Sequence, residues 1–176
     1  MMFFFHGHQK SQYNSLFERM CLLRAKVFYG RMNWQVSVIN GIEVDKFDDL
    51  DPLYAVYLSE DKEILGTFRL LPSTGPTMLR DVFPRCLPEG LDIRSPIVWE
   101  STRFCVDTEL VSKRGKNGLT EVTGVLLSSL IEIGLMVGLS HIVTVIDVRM
   151  ERILRRAGGV DPVSWTPLKS FSGVSH

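Results

Sequence analysis

The chain has 176 residues, 45% of them hydrophobic and 23% charged, and its 20 basic and 20 acidic side chains cancel. This length and apolar content specify one globular domain with a sizeable core and exclude a disordered tail. Zero formal charge lacks the basic excess that marks a general nucleic-acid binder. Cys21, Cys86 and Cys105 show no paired spacing and no histidine-rich neighbourhood. Neither a disulfide framework nor a metal site is expected, and a reducing cytoplasm fits best.

In chain order, the opening MMFFFHGHQK lacks a basic n-region, and its apolar run is too short for a signal peptide. Residues 13–29 place Leu16, Met20, Leu23 and Val27 at helical spacing with Gly30 as the stop, which predicts an amphipathic helix. Arg24 and Phe28, four residues apart, are neighbours on its surface. The stretch RMNWQVSVINGIEVDKFDDLDP has no sustained period and gathers Glu43, Asp45, Asp48, Asp49 and Asp51. It is expected to be a largely irregular, mobile, acidic connection with room for one short strand.

LYAVYL and EILGTFRLL, separated by the polar SEDK, predict an antiparallel hairpin closed by Pro72. TMLRDVF predicts a short helix before Pro84, and IVWESTRFCV a strand. A basic loop, SKRGKNG, then leads to a long apolar helix from about Leu119 to Leu139. Apolar content over Val122–Leu139 approaches that of a membrane span, but Glu132 and scattered Gly and Ser favour a buried helix. HIVTVI predicts another strand, and VRMERILRRAG a helix stopped at Gly158. This order predicts a single α/β domain over 1–176: a mixed twisted sheet covered by helices, in a three-layer sandwich of the N-acetyltransferase type. The long helix between consecutive strands implies a parallel crossover.

VWESTRF sets both signs of charge inside a strand, where burial is costly unless the charges are paired or used. Together, LLRAKVFYGRMNW, EVDKFDDLDPLYAV, LGTFRLLPSTGPTML, DVFP and VWESTRFCVD closely resemble the acyl-homoserine-lactone synthase family, the bacterial autoinducer synthases of quorum sensing, over residues 16–158. The resemblance implies transfer of an acyl group from acyl carrier protein, or from coenzyme A, to the amine of S-adenosylmethionine. Lactonisation with release of methylthioadenosine follows. S-adenosylmethionine is then a substrate, no cofactor is expected, and neither nucleic acid nor membrane is a partner. By the same resemblance residues 1–52, helix and acidic loop together, contribute to the nucleotide pocket.

An amine attacks a thioester only when unprotonated, so a carboxylate beside it serves as general base. Glu100 is the candidate, with Arg103 as its catalytic companion. A regular strand would put Glu100, Thr102 and Phe104 on one face and Arg103 on the other. If both serve one pocket, a β-bulge and an opening of the sheet after Glu100 are required. The remaining substrate-binding positions implied by resemblance are Arg24, Phe28, Trp34, Asp45, Asp48, Arg69, Phe83, Thr102 and Phe104. Arg24 is expected to grip the methionine carboxylate, and Phe28 or Trp34 to face the sulfonium. Phe28 and Phe83 serve equally well as core, while Asp45, Asp48, Arg69 and Arg103 serve equally well as an ion-pair network bracing the pocket.

Met78, Thr144 and Ile146 are the acyl-lining positions by family position. Arg149, Arg152 and Arg156 share much of one helix face with Arg155 and suit an acidic carrier protein. KRGKNG offers cations and a helix N-terminus to a phosphate. It lacks the fuller pattern of coenzyme A-dependent acetyltransferases, which favours a carrier-borne arm. Beyond Gly158 the chain is expected to stop before the last strand or strands of the sheet. Two alternatives stay open, a coenzyme A-dependent N-acyltransferase without lactonisation and an inactive truncated binding protein.

Overall fold

The computed structural model describes residues 1–113, 117–147, 150–152 and 154. Its elements are β1 (Met2–His6), α1 (Asn14–Arg24) continued by a π-helical stretch (Ala25–Arg31), β2 (Val38–Ile39), β3 (Ile42–Glu43), a 3-10 turn (Lys46–Asp49), β4 (Leu53–Leu58), β5 (Ile64–Pro72), α2 (Met78–Asp81), β6 (Val98–Val106), α3 (Thr108–Ser112), α4 (Gly118–Met136) and β7 (His141–Val143). Five strands form one mixed sheet in the order β1-β4-β5-β6-β7. Pairing is antiparallel up to β6, and β6–β7 is the parallel step that α4 crosses over.

Strand β1 goes beyond the sequence reading, which gave MMFFFHGHQK no element. Its aromatic run suits a pleated surface, and Phe5 lies opposite Tyr54 in the ladder with β4. Alternation along β4 then builds two cores. Tyr54, Val56 and Leu58 pack with Phe5, Met20, Leu23 and Val27 under α1, while Ala55 joins Phe68, Leu70, Val122 and Leu126 under α4. The sheet is thus the middle of three layers. At 19 residues α4 is long and apolar enough to cross a membrane by length and composition, yet Val122, Leu126 and Ile133 face the sheet. Glycine allows this close approach, because a Cβ on Gly66 would lie 2.7 Å from Leu126 and 2.8 Å from the Cys105 carbonyl oxygen.

The helix expected over 13–29 divides at Arg24. Beyond it the turn widens, and Met32 N–H donates to the Val27 carbonyl five residues back at 2.9 Å. Consecutive Val27 and Phe28 are both buried there, with Phe28 stacked on Trp34.

Leu126 has no exposed surface, so Leu126→Ala should cost about 2–5 kcal/mol of unfolding free energy. Urea denaturation followed by circular dichroism measures this, with Leu119→Ala on the exposed side of the same helix close to neutral.

Candidate active site

The acidic segment is built rather than loose. Asn40 and Gly41, both at positive φ, turn β2 back on β3 and deliver Glu43. Two residues on, Asp45 caps the 3-10 turn by accepting from Phe47 N–H at 2.9 Å, while Asp48 accepts from Asp45 N–H at 2.8 Å. Three carboxylates are thereby aimed at one face of the sheet, where three arginines meet them.

Arg24, 1% exposed at the end of α1, donates from Nε to Glu43 at 2.5 Å and from both Nη atoms to Asp48 at 2.9 Å. Arg69 on β5, also 1% exposed, reaches Asp45 at 2.6 and 3.0 Å and Asp48 at 2.8 Å, and its Nε donates to Thr102 Oγ1 at 3.0 Å. Arg103 on β6 reaches Glu43 at 2.8 Å and Asp45 at 2.8 Å. Tyr54 O–H adds a bond to Asp48 at 2.9 Å. Three positive and three negative groups cancel, and among the described residues no buried side-chain polar atom lacks a partner. Burial alone would raise the Asp48 carboxyl, but Arg24 and Arg69 hold it well below the usual carboxylate range.

Arg103 reaches this network through a defect in β6. Register runs Thr67–Cys105, then Arg69–Thr102, so Arg103 and Phe104 together oppose Phe68. Arg103 sits at φ 56°, a left-handed conformation worth roughly 1–3 kcal/mol of local strain. This is the bulge the two-charge strand required. It turns Arg103 onto the face of Glu100 and Thr102, and it sends Phe104 to the opposite face, stacked on Phe68 with ring centroids 6.3 Å apart. The regular-strand grouping of Phe104 with Glu100 is corrected accordingly.

Glu100, with no exposed surface, accepts from Met78 N–H at 2.8 Å and Leu79 N–H at 2.6 Å, the leading amides of α2. Burial pushes its carboxyl above the ordinary value, although those two N–H groups pull the other way. Glu100 is also the last β6 residue paired with β7, opposite Val143, while β6 itself runs on to Val106. The sheet therefore opens after Glu100, as anticipated. The Met78 side chain closes the space between: its Sδ lies 3.4 Å from Arg103 Nη1 and 3.6 Å from Arg69 Nη2.

Phe28 is buried, stacked on the 40%-exposed Trp34 at 5.2 Å, and lies under the Arg103 guanidinium at 5.4 Å. Phe83 packs with Phe47, Leu71 and Met78. Thr144 is exposed and Ile146 half-buried, both just past β7. Of the basic stripe, Arg152 is exposed, whereas Arg149, Arg155 and Arg156 lie outside the described residues, as do Arg114–Lys116 of the basic loop. Glu43 joins the site from outside the sequence-based set, hidden as one acid among five in a segment with no period. Burial pushes the Cys21 and Cys105 thiols up to about 12 and raises Cys86 as well, so none favours the thiolate that a covalent relay needs.

Comparison with known proteins matches residues 8–168 to the family model described as autoinducer synthase. An acyl-homoserine-lactone synthase of Agrobacterium fabrum is 44% identical over 151 residues, 85% of this chain and 71% of that protein. A probable acyl-homoserine-lactone synthase of Sinorhizobium fredii is 46% identical over 137 residues, 77% of this chain but 65% of its own length. The chain thus spans about two thirds of these relatives. Among solved structures, the AHL synthase LasI is 32% identical with a TM-score of 0.75, covering 90% of this chain and 78% of that one. MesI, described as a CoA-dependent acyl-homoserine lactone synthase, is 26% identical with a TM-score of 0.72, covering 88% and 75%.

Asp48→Asn leaves Arg24 and Arg69 without their shared countercharge and should cost about 3–5 kcal/mol of stability. Because the folded Asp48 value is depressed, its contribution is complete above the ordinary carboxylate pKa and is lost as pH falls through the folded one. Urea midpoints measured from neutral pH down to about pH 3, just below the ordinary carboxylate pKa, should therefore fall more steeply for the native chain than for Asp48→Asn.

Proposed function

The chain belongs to the autoinducer synthase family and is an acyl-homoserine-lactone synthase, an acyltransferase; from that premise we propose that Glu100 is its general base, working on S-adenosylmethionine beside a thioester at the opening of the sheet. One observation carries the reading: a fully buried carboxylate with raised proton affinity stands where β6 loses its β7 partner. A carboxylate whose proton affinity burial has raised takes a proton from an ammonium group more readily than an ordinary one does.

In this scheme Glu100, directly or through one water, removes a proton from the methionine ammonium. The freed amine attacks the thioester carbonyl. Amide N–H groups of β6 beyond Glu100, relieved of β7, hold the oxyanion. Collapse expels the donor thiolate, which takes up the proton from Glu100, and the regenerated carboxylate accepts the surplus proton that the nitrogen must lose to become an amide and passes it to water. Next the methionine carboxylate attacks the carbon bonded to the sulfonium; that C–S bond breaks, the lactone closes and neutral methylthioadenosine departs. Both charges vanish within one molecule, so alignment supplies much of the acceleration.

Binding roles follow from unused donors. A thioether is a weak acceptor, so Arg69 Nη2 and Arg103 Nη1, both aimed at Met78 Sδ, gain charge-assisted bonds when a substrate carboxylate displaces that sulfur. Arg24, buried and with each of its three nitrogens bonded to Glu43 or Asp48, braces them from behind. The exposed face of Trp34, backed by Phe28, receives the sulfonium. For the acyl donor we favour a carrier protein, seated on the exposed Arg152 and its basic neighbours in sequence and supplying the autoinducer of a cytoplasmic quorum-sensing system. Likeness to the CoA-dependent MesI supports acyl-coenzyme A as the second reading.

Glu100→Gln should lower kcat by about 10²–10⁴-fold and remove the acid limb of the kcat/KM profile, which in the native enzyme lies above the ordinary carboxylate value. Since Gln keeps an oxygen for one α2 amide, unchanged circular dichroism separates lost basicity from lost structure. Undiminished kcat would overturn the assignment.

The donor is read by supplying S-adenosylmethionine with matched acyl-carrier-protein and acyl-coenzyme A substrates, then following free thiol, methylthioadenosine and lactone. The expected result is all three products with a higher kcat/KM on the carrier protein. Thiol without methylthioadenosine would indicate acyl transfer that stops before lactonisation, and no product with either donor would indicate a binding protein.

A further inference from the structure

A second cluster of ligand-bearing side chains lies outside the charge network, at the C-terminal end of β1. Among the described residues, His6, His8 and Asp51 bring one ligand atom each to within 4.8 Å of one another. The His8 ring Nδ1 is 3.0 and 3.1 Å from the two Asp51 carboxylate oxygens, and the His6 and His8 rings stack with centroids 5.4 Å apart. We propose that these three residues form a surface site for one divalent transition-metal ion of the zinc class, which clips the end of β1 to the start of β4.

The chemistry of the set selects the ion. Two imidazoles and a carboxylate make a mixed nitrogen–oxygen site suited to zinc, and poorly suited to magnesium or calcium, which take oxygen ligands. Bonds of about 2.0–2.1 Å in a tetrahedral ion separate ligand atoms by roughly 3.3 Å. The His8–Asp51 pair already stands near that spacing, so only His6 must close in. Its ring is exposed and already stacked beside that of His8. With His8 and Asp51 side chains 64% and 54% exposed, the fourth position is open to water.

The backbone beneath the cluster is set in a constrained geometry. Asp51 lies at φ 55°, a left-handed conformation that Asp tolerates better than most residues, and its carboxylate also accepts from His8 N–H at 2.7 Å. Gly7 lies against it so closely that a Cβ there would sit 2.8 Å from Asp51 Cα and 2.9 Å from Pro52 Cδ. Gly7 N–H donates to the Pro52 carbonyl at 2.8 Å, and His6 N–H to Gln9 Oε1 at 2.8 Å. The ligands therefore sit on backbone that needs no ordering when the ion arrives, which favours binding.

Calorimetric titration of ZnCl₂ into the metal-free full chain, with thermal unfolding in parallel, tests the site. The expected result is one saturable zinc per chain and a higher unfolding temperature with zinc, because the ion binds the folded state. Asp51→Asn, which keeps the left-handed backbone accessible, and the pair His6→Gln with His8→Gln should each weaken binding by at least about tenfold, since even outer-shell partners of metal sites are worth that much. His141→Gln should leave it intact. No zinc uptake by the native chain, or uptake unchanged in the His6→Gln, His8→Gln chain, would overturn the proposal.

Discussion

The structure depends on cancelling six charges, four of them almost wholly shut off from water and two, on Asp45 and Arg103, at a partly exposed edge. Arg24 comes from α1, Glu43, Asp45 and Asp48 from the segment after it, Arg69 from β5 and Arg103 from β6. No pair among them stands alone: Asp48 serves Arg24 and Arg69, Glu43 serves Arg24 and Arg103, and Asp45 serves Arg69 and Arg103. Desolvating each ion costs several kcal/mol, which mutual attraction repays only if geometry is good and every donor is met. The chain between α1 and β4 has little regular structure of its own. Its position is set by salt bridges to the sheet rather than by a ladder.

The same constraint accounts for the bulge. An arginine at position 103 of an unbroken strand would face the α4 core, among Phe68, Leu70 and Leu126, where no carboxylate waits. One extra residue in β6 converts that conflict into two gains, Arg103 over Glu43 and Asp45, and Phe104 over Phe68. The left-handed backbone at Arg103 is the local cost. It brings Glu100 and Arg103, three residues apart, to opposite sides of a single methionine.

Much of this was legible before any coordinates. Alternation in LYAVYL, the β-branched and aromatic runs, and the long apolar helix between two strands carried the mixed sheet and its parallel step. Two opposite charges in VWESTRF required the bulge by parity once the family resemblance set both in one pocket. What escaped was nonlocal. β1 is short and terminal, and its phenylalanines find a reason only when β4 arrives beside them. The acidic stretch looked like solvated loop because charge density masked Asn40-Gly41, a hairpin signal, and because countercharges far along the chain are invisible to periodicity. The Glu43 role was lost for the same reason. Likewise, the helical period through Val27 was visible, but its widening into a π-turn comes from packing and leaves no mark in spacing.

Glu100 marks more than the end of the β6–β7 ladder. Both its oxygens hold the first amides of α2, and Met78, whose sulfur covers two arginines, supplies one of those amides. The peptide that donates to this carboxylate and the sulfur that caps the arginines thus belong to one residue, so Met78 ties the end of the β6–β7 ladder to the charge network through a single short helix.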